Sequence, residues 1–156
     1  MKIAVAVSLV LLGCTSLPSR SVADESRDQD RRGEALMRDG RYDEADAAFV
    51  RALALEPNNG RARLLRAESL RRKAGDDTEE RAVVEFAGVP LEQQDLSKLD
   101  LARLEIVDAH APRSNWSGAR LTDVAFARAQ LNGADLSGAR IHDSVLDGAR
   151  QRERVS

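Results

Sequence analysis

From Leu96 onward, every fifth residue of the chain is apolar: Leu96, Leu101, Ile106, Ala111, Trp116, Leu121, Phe126, Leu131, Leu136, Ile141 and Leu146. Two places before each stand Gln94, Leu99, Leu104, Ala109, Ser114, Ala119, Val124, Ala129, Ala134, Ala139 and Ser144, nearly all small or aliphatic. Neither a helix with its period of 3.6 nor a strand with its period of 2 sustains such spacing over this length. The pattern predicts a coil whose turns stack on one another, with two side chains of each five pointing inward. Gly118, Gly133, Gly138 and Gly148 share the last place of the repeat, where the chain turns a corner. Phe86 and Leu91, with Val84 and Val89 two places before them, continue the phase backward. A helix over about 78–87 competes with that extension, so the coil starts somewhere between 78 and 93.

The first half of the chain has a different rhythm. Between Gly33 and Asn59, Ala35, Leu36, Ala45, Ala48, Phe49, Ala52 and Leu53 fall at helical spacing, interrupted at Gly40-Arg41. Glu56-Pro57-Asn58-Asn59 ends the second helix, because proline restricts the residue before it and asparagine accepts turn conformations. Another helical stretch begins at Gly60 and carries Ala67 and Leu70.

Both rhythms resemble known repeat families. Gly40-Arg41-Tyr42-Asp43-Glu44-Ala45, followed by Phe49, Ala52 and Pro57, resembles the second half of a tetratricopeptide repeat, whose period is about 34 residues. Gly33 falls on that family's small position in the first helix, while Gln29 and Arg32 stand where large apolar residues are usual. Ala134-Asp135-Leu136-Ser137-Gly138 matches the A-(D/N)-L-x-x consensus of pentapeptide repeats, and Ala119-Arg120-Leu121 and Ala139-Arg140-Ile141 match it in part. That resemblance implies four pentapeptides per square turn of a right-handed β-helix, so residues twenty apart stack: Leu96 with Trp116 and Leu136, Leu101 with Leu121 and Ile141, Ile106 with Phe126 and Leu146. The expected fold is an α + β repeat protein, a short tetratricopeptide-like hairpin over 28–77 followed by a β-helix of about three turns over 78–150.

The amino terminus has the features of a secretory signal. Met1 and Lys2 precede an apolar run, Ile3 to Leu12, about half the ~20 residues a membrane-spanning helix needs. Leu11-Leu12-Gly13-Cys14 resembles the bacterial lipobox, which implies cleavage after residue 13 and lipidation of Cys14. Residues 14–27, rich in serine and charge, are expected to form a tether, and 151–156 a charged tail. Thr15 stands where the inner-membrane sorting signal of enteric lipoproteins has aspartate. The resemblance therefore favours an outer-membrane anchor facing the periplasm.

Charge and composition narrow the chemistry. With 26 acidic against 24 basic side chains, no overall field favours nucleic acid, and 3% aromatics leave few platforms for stacking bases or sugars. Cys14 is the single cysteine, so neither a disulfide within the chain nor a multi-cysteine metal cluster is available. His110 and His142 flank inward residues on opposite faces of the expected coil and cannot form a dyad. No nucleophile elbow, Walker loop or dinucleotide fingerprint is present. A coil filled by its own side chains offers no interior cavity. The chain is thus expected to be no enzyme and to need no cofactor, metal or small-molecule substrate.

Residues 61–73 carry Arg61, Arg63, Arg66, Arg71, Arg72 and Lys73 against the single acid Glu68. By resemblance to tetratricopeptide proteins, Arg61, Arg71 and Arg72 would look into a concave groove and could hold a carboxylate of a protein partner. The expected function is a membrane-tethered adaptor in the bacterial envelope. The alternative is a structural spacer without a specific ligand.

Overall fold

The computed structural model describes residues 21–75 and 81–145. Three helices, α1 (Val22–Arg38), α2 (Tyr42–Leu55) and α3 (Gly60–Ala74), precede six short strands, β1 (Ala82–Glu85), β2 (Asp100–Ala102), β3 (Leu104–Val107), β4 (Arg120–Thr122), β5 (Ala125–Ala127) and β6 (Arg140–His142). The strands form two parallel ladders, β1-β3-β5 and β2-β4-β6, on different sides of a β-solenoid of roughly three turns.

α1 begins earlier than the expected tether boundary at residue 27. Ser21 caps it, its hydroxyl accepting from the Asp24 N–H at 3.1 Å, and Asp24 and Glu25 in the first turn suit the positive end of the helix dipole. The serine-rich and charged composition that suggested a tether is, from residue 21, a helix start. The helical segment is also more than a hairpin, because α3 packs on α2 and then on β1 and β2.

Gly33 and Phe49 make the α1–α2 contact. A Cβ on Gly33 would stand 2.4 Å from the Phe49 ring, which is fully buried, so only glycine lets the helices approach this closely. Ala45, Ala48 and Ala52 complete the buried face of α2. The small-residue pattern read from the sequence thus marks a real helix contact.

In the solenoid, residues twenty apart pair as expected from the second turn onward: Leu101 with Leu121 and Ile141, and Ile106 with Phe126. Every fifth residue from Gly88 to Asp143 has a positive φ, so each five-residue unit turns through the left-handed region. Glycine fills that corner at 118, 133 and 138, yet Lys98, Asp108, Arg113 and others hold it at φ between 49° and 57°. The hydrogen bonds of the stacked turns on either side stabilise a backbone conformation that side chains ordinarily disfavour.

The backward extension needs one correction. The first turn is twenty-two residues long, because Val84, not Phe86, pairs with Ile106, whereas Pro90 pairs with His110 at the usual spacing of twenty. Two extra residues are accommodated in the corner that carries Phe86 and Gly88. Phe86 is still buried, with the Arg63 guanidinium 5.8 Å above its ring centre. Residues 82–85 are therefore strand, which resolves the choice left open for 78–87 in favour of the coil over its described part.

The solenoid core is almost entirely apolar. Trp116 and Phe126 meet edge to face, with ring centres 5.5 Å apart, and the Trp116 indole N–H donates to Ser114 Oγ at 2.8 Å. Ser114 in turn donates to the Ala111 carbonyl at 2.7 Å, so the one polar side chain buried in the solenoid among the described residues both accepts and donates a hydrogen bond. The core continues without a break into the helices through Leu91, Phe86, Leu64 and Leu65.

Candidate functional site

The three arginines singled out from the sequence all lie where α3 meets the solenoid, and each is engaged inside the chain. Arg61 pairs with Glu34 of α1 at 2.8 Å and donates to the Ser97 carbonyl at 3.0 Å. Arg71 and Arg72 both bind Glu68, at 2.8 and 2.6 Å, and Arg72 also lies 3.6 Å from Asp100. Glu68 is completely buried and accepts a further hydrogen bond from the Ala102 N–H of β2 at 3.1 Å. The face expected to be a concave groove is thus covered by the coil, and these arginines join the two repeat modules. The charge run was legible in the sequence; its internal partner, the lone acid Glu68, was not recognised as the centre of the cluster.

Gln94 explains why one inward position of the coil departs from the small-residue rule. Its Oε1 accepts from the Gly60 N–H at 2.8 Å and its Nε2 donates to the carbonyls of Asn58 and Pro90, at 2.8 and 2.7 Å. The coil thereby supplies an acceptor to an N-terminal amide of α3 that has no partner within its own helix. Gly60 is required here, since a Cβ would stand 1.9 Å from the Leu91 side chain.

Beside this joint lies an open cleft of about 650 Å³, walled by α1, the turn before α3 and the first turn of the coil. Asn59 shapes it. Its Oδ1 caps α3 by accepting from the Ala62 N–H at 2.9 Å, while its Nδ2 donates to Ser26 Oγ at 3.1 Å and Asp30 Oδ2 at 2.8 Å. Asp30 is only 5% exposed, and its other oxygen, Oδ1, has no hydrogen-bond partner. Burial raises the pKa of Asp30 to about 6, against the lowering effect of the Asn59 hydrogen bond and the Arg61 charge. Sequence reading took Asn59 only as a turn former and passed over Asp30. The signal available was an asparagine directly before a helical run, which is an N-cap signature.

The described geometry is that of a repeat protein with two modules fused through one core. Residues 27–59 match the family model for the tetratricopeptide repeat, and residues 107–150 match the model for pentapeptide repeats, in eight copies. No curated protein matches the chain. The chain therefore joins a tetratricopeptide-like helical segment to a pentapeptide-repeat β-solenoid, a combination that suggests a protein-interaction or scaffold role. Cys14 lies outside the described residues.

Proposed function

We propose that this protein is a membrane-tethered adaptor of the bacterial envelope, anchored through Cys14 and presenting a rigid two-module body to a protein partner. The observation that carries the interaction role is the continuous core running from Phe49 and Leu64 into Phe86, Leu91 and Leu96. A body filled in this way can act through its surfaces and the cleft at its joint. The tether rests on Leu11-Leu12-Gly13-Cys14 and the apolar run before it. Two or three acyl chains, at roughly 0.8 kcal/mol per buried CH₂, hold a protein stably on a membrane. Among the described residues, no helix is long and apolar enough to cross one.

The test has two arms. Cys14→Ala should abolish fatty-acid labelling and leave the protein uncleaved or mislocalised; labelling that persists in the variant removes the anchor. Crosslinking of intact envelopes followed by capture of the full chain should enrich one partner reproducibly. Failure to enrich any partner would replace the adaptor with a spacer.

A further inference from the structure

The two ladders of the coil carry different sequences. In β2, β4 and β6, Asp100-Leu101-Ala102, Arg120-Leu121-Thr122 and Arg140-Ile141-His142 each set one aliphatic residue between outward neighbours that are mostly polar. β1, β3 and β5 do not alternate in this way. Ala82-Val83-Val84, Ile106-Val107 and Ala125-Phe126-Ala127 are continuous apolar runs, the pattern of parallel strands that are covered on both faces. Yet their outer face is open: Val83 is 60% exposed, and Val145, which bridges to Ala125, is 48% exposed. With Val107, Ala125 and Ala127 they form an apolar patch on a coil whose other outward positions are mostly polar.

The register shows what chemistry would cover this patch. Glu105 stands between Val83 and Ala125 in one outward column, and Glu85 begins the other, followed by Val107 and Ala127. The two carboxylates are thus diagonal neighbours in the first two rows, and the rows after them are wholly apolar. Neither carboxylate receives a hydrogen bond or ion pair from the described residues. Arg128, whose charge reaches both, donates to the two oxygens of Asp108 at 2.7 and 2.9 Å, and Arg81 is paired with Asp123.

The complementary surface is therefore apolar and carries an N–H cation at one end. A sheet buries an apolar face against another element, and a helix laid across it is the simplest. Four rows about 4.8 Å apart span about 15 Å, the length of roughly ten helical residues. The short side chains of Ala125 and Ala127 leave room for its backbone to come close. A second copy is a poor occupant, because a two-fold contact would bring Glu85 and Glu105 against their own images.

We propose that the outer face of β1, β3 and β5 receives an amphipathic helix of a partner protein. Its apolar side lies on Val83, Val107, Ala127 and Val145, and a lysine or arginine of that helix meets Glu85 and Glu105. This rests on the adaptor reading and names the chemistry of the partner. It also reverses the expectation from the basic stretch on α3, since the partner's contribution is a cation.

Site-specific photo-crosslinking of the full chain in intact envelopes tests this. Benzoylphenylalanine is placed at Val83, Ala127 or Val145, and, as controls on two other sides of the coil, at Ser117 or Asn132. One partner is expected from the three positions on the face and not from the controls. The segment of the partner that is joined should have apolar residues at helical spacing beside a lysine or arginine. Glu85→Lys/Glu105→Lys should lower the yield from the Ala127 position about tenfold. The nearly isosteric Glu85→Gln/Glu105→Gln should lower it in the same direction, with an unchanged urea midpoint because both side chains point outward.

A yield indifferent to both charge changes, an acidic joined segment, a crosslink to a second copy, or equal crosslinking from the controls overturns the assignment. A partner joined only through the Ser117 or Asn132 position moves the contact to another face and leaves the adaptor standing. Crosslinking through the face in a protein whose Cys14 carries no lipid upholds the face and removes the tether. No crosslink from any position removes the adaptor together with the face.

Discussion

The two halves of this molecule are held together by different physics. Inside the described solenoid the only buried polar side chain is Ser114, whereas the helical half buries Ser26, Asp30, Glu68 and Ser69. Each coil turn repeats the same contacts: inward apolar residues stack on those of the neighbouring turns, and backbone N–H groups pair with carbonyls of the adjacent turn. The helices and their joint contain contacts that occur once, such as Glu68 between two arginines or Asn59 between Ser26 and Asp30. Repetition makes the coil stable through sums of similar terms. The helical half depends on individual residues, and its specificity resides in them.

The largest effect should come from breaking a stack. Trp116 is completely buried, against Phe126, with its indole N–H satisfied by Ser114. Trp116→Asp removes that packing and places an unpaired charge in the apolar column, at an expected cost of at least about 4 kcal/mol. The outward Arg120→Asp, four residues later, should change stability by no more than about 0.5 kcal/mol. Urea unfolding of both variants checks the contrast. Equal losses would show that the columns do not bear the load assigned to them.

A break at the joint should be nearly as costly for a different reason. Glu68→Leu removes the anion between Arg71 and Arg72 and leaves the Ala102 N–H without its acceptor. Removing one side of a buried ion pair costs about 3–5 kcal/mol. Because α3 meets the coil through this residue, hydrogen exchange should rise first in α3 and at Ala102, while the amides of β3 and β5 stay protected. Uniform exchange across both halves would mean that they do not separate at the joint.

The same contrast decides what could be read from the sequence. The coil was legible because periodicity is a sum over many units: one exception, such as Gln94, does not hide eleven apolar positions. The failure came where the count changes, since the two extra residues before Leu91 leave the five-residue phase of Phe86 apparently intact while shifting its partner. The first turn's register depends on hydrogen bonding to Leu104–Val107, which local pattern cannot specify. In the helical half, Gly33, Ala45 and Phe49 were legible because small and large residues must alternate at a close helix contact. Arg61, Arg71 and Arg72 were recognisable as a cluster, but the coil that covers them lies more than twenty residues further along the chain, beyond any local signal. Asp30 was hidden for the same reason: its burial is produced by Asn59 and the turn before α3.

The smallest effect has the most diagnostic direction, because pH should act on the two halves with opposite sign. On the coil, hydrogen bonds to Ser97, Arg128 and Ser137 hold Asp95, Asp108 and Asp135 below the ordinary carboxylate range. Their contributions are present above about pH 4 and are lost as the pH falls through their folded values. Asp30 runs the other way. Its folded pKa is about 6 against an ordinary 3.8, so the folded state binds its proton more tightly than the unfolded chain. Its contribution is complete below about pH 4 and is lost as the pH rises through 6, a difference on the order of 2–3 kcal/mol. Unfolding free energies measured from pH 4 to pH 8 should therefore decline more steeply for the natural protein than for Asp30→Asn, in which this titration is absent. Parallel curves for the two proteins would show that Asp30 ionises in the fold as readily as in the unfolded chain, and the carboxylate at the joint would no longer distinguish the helical half from the coil.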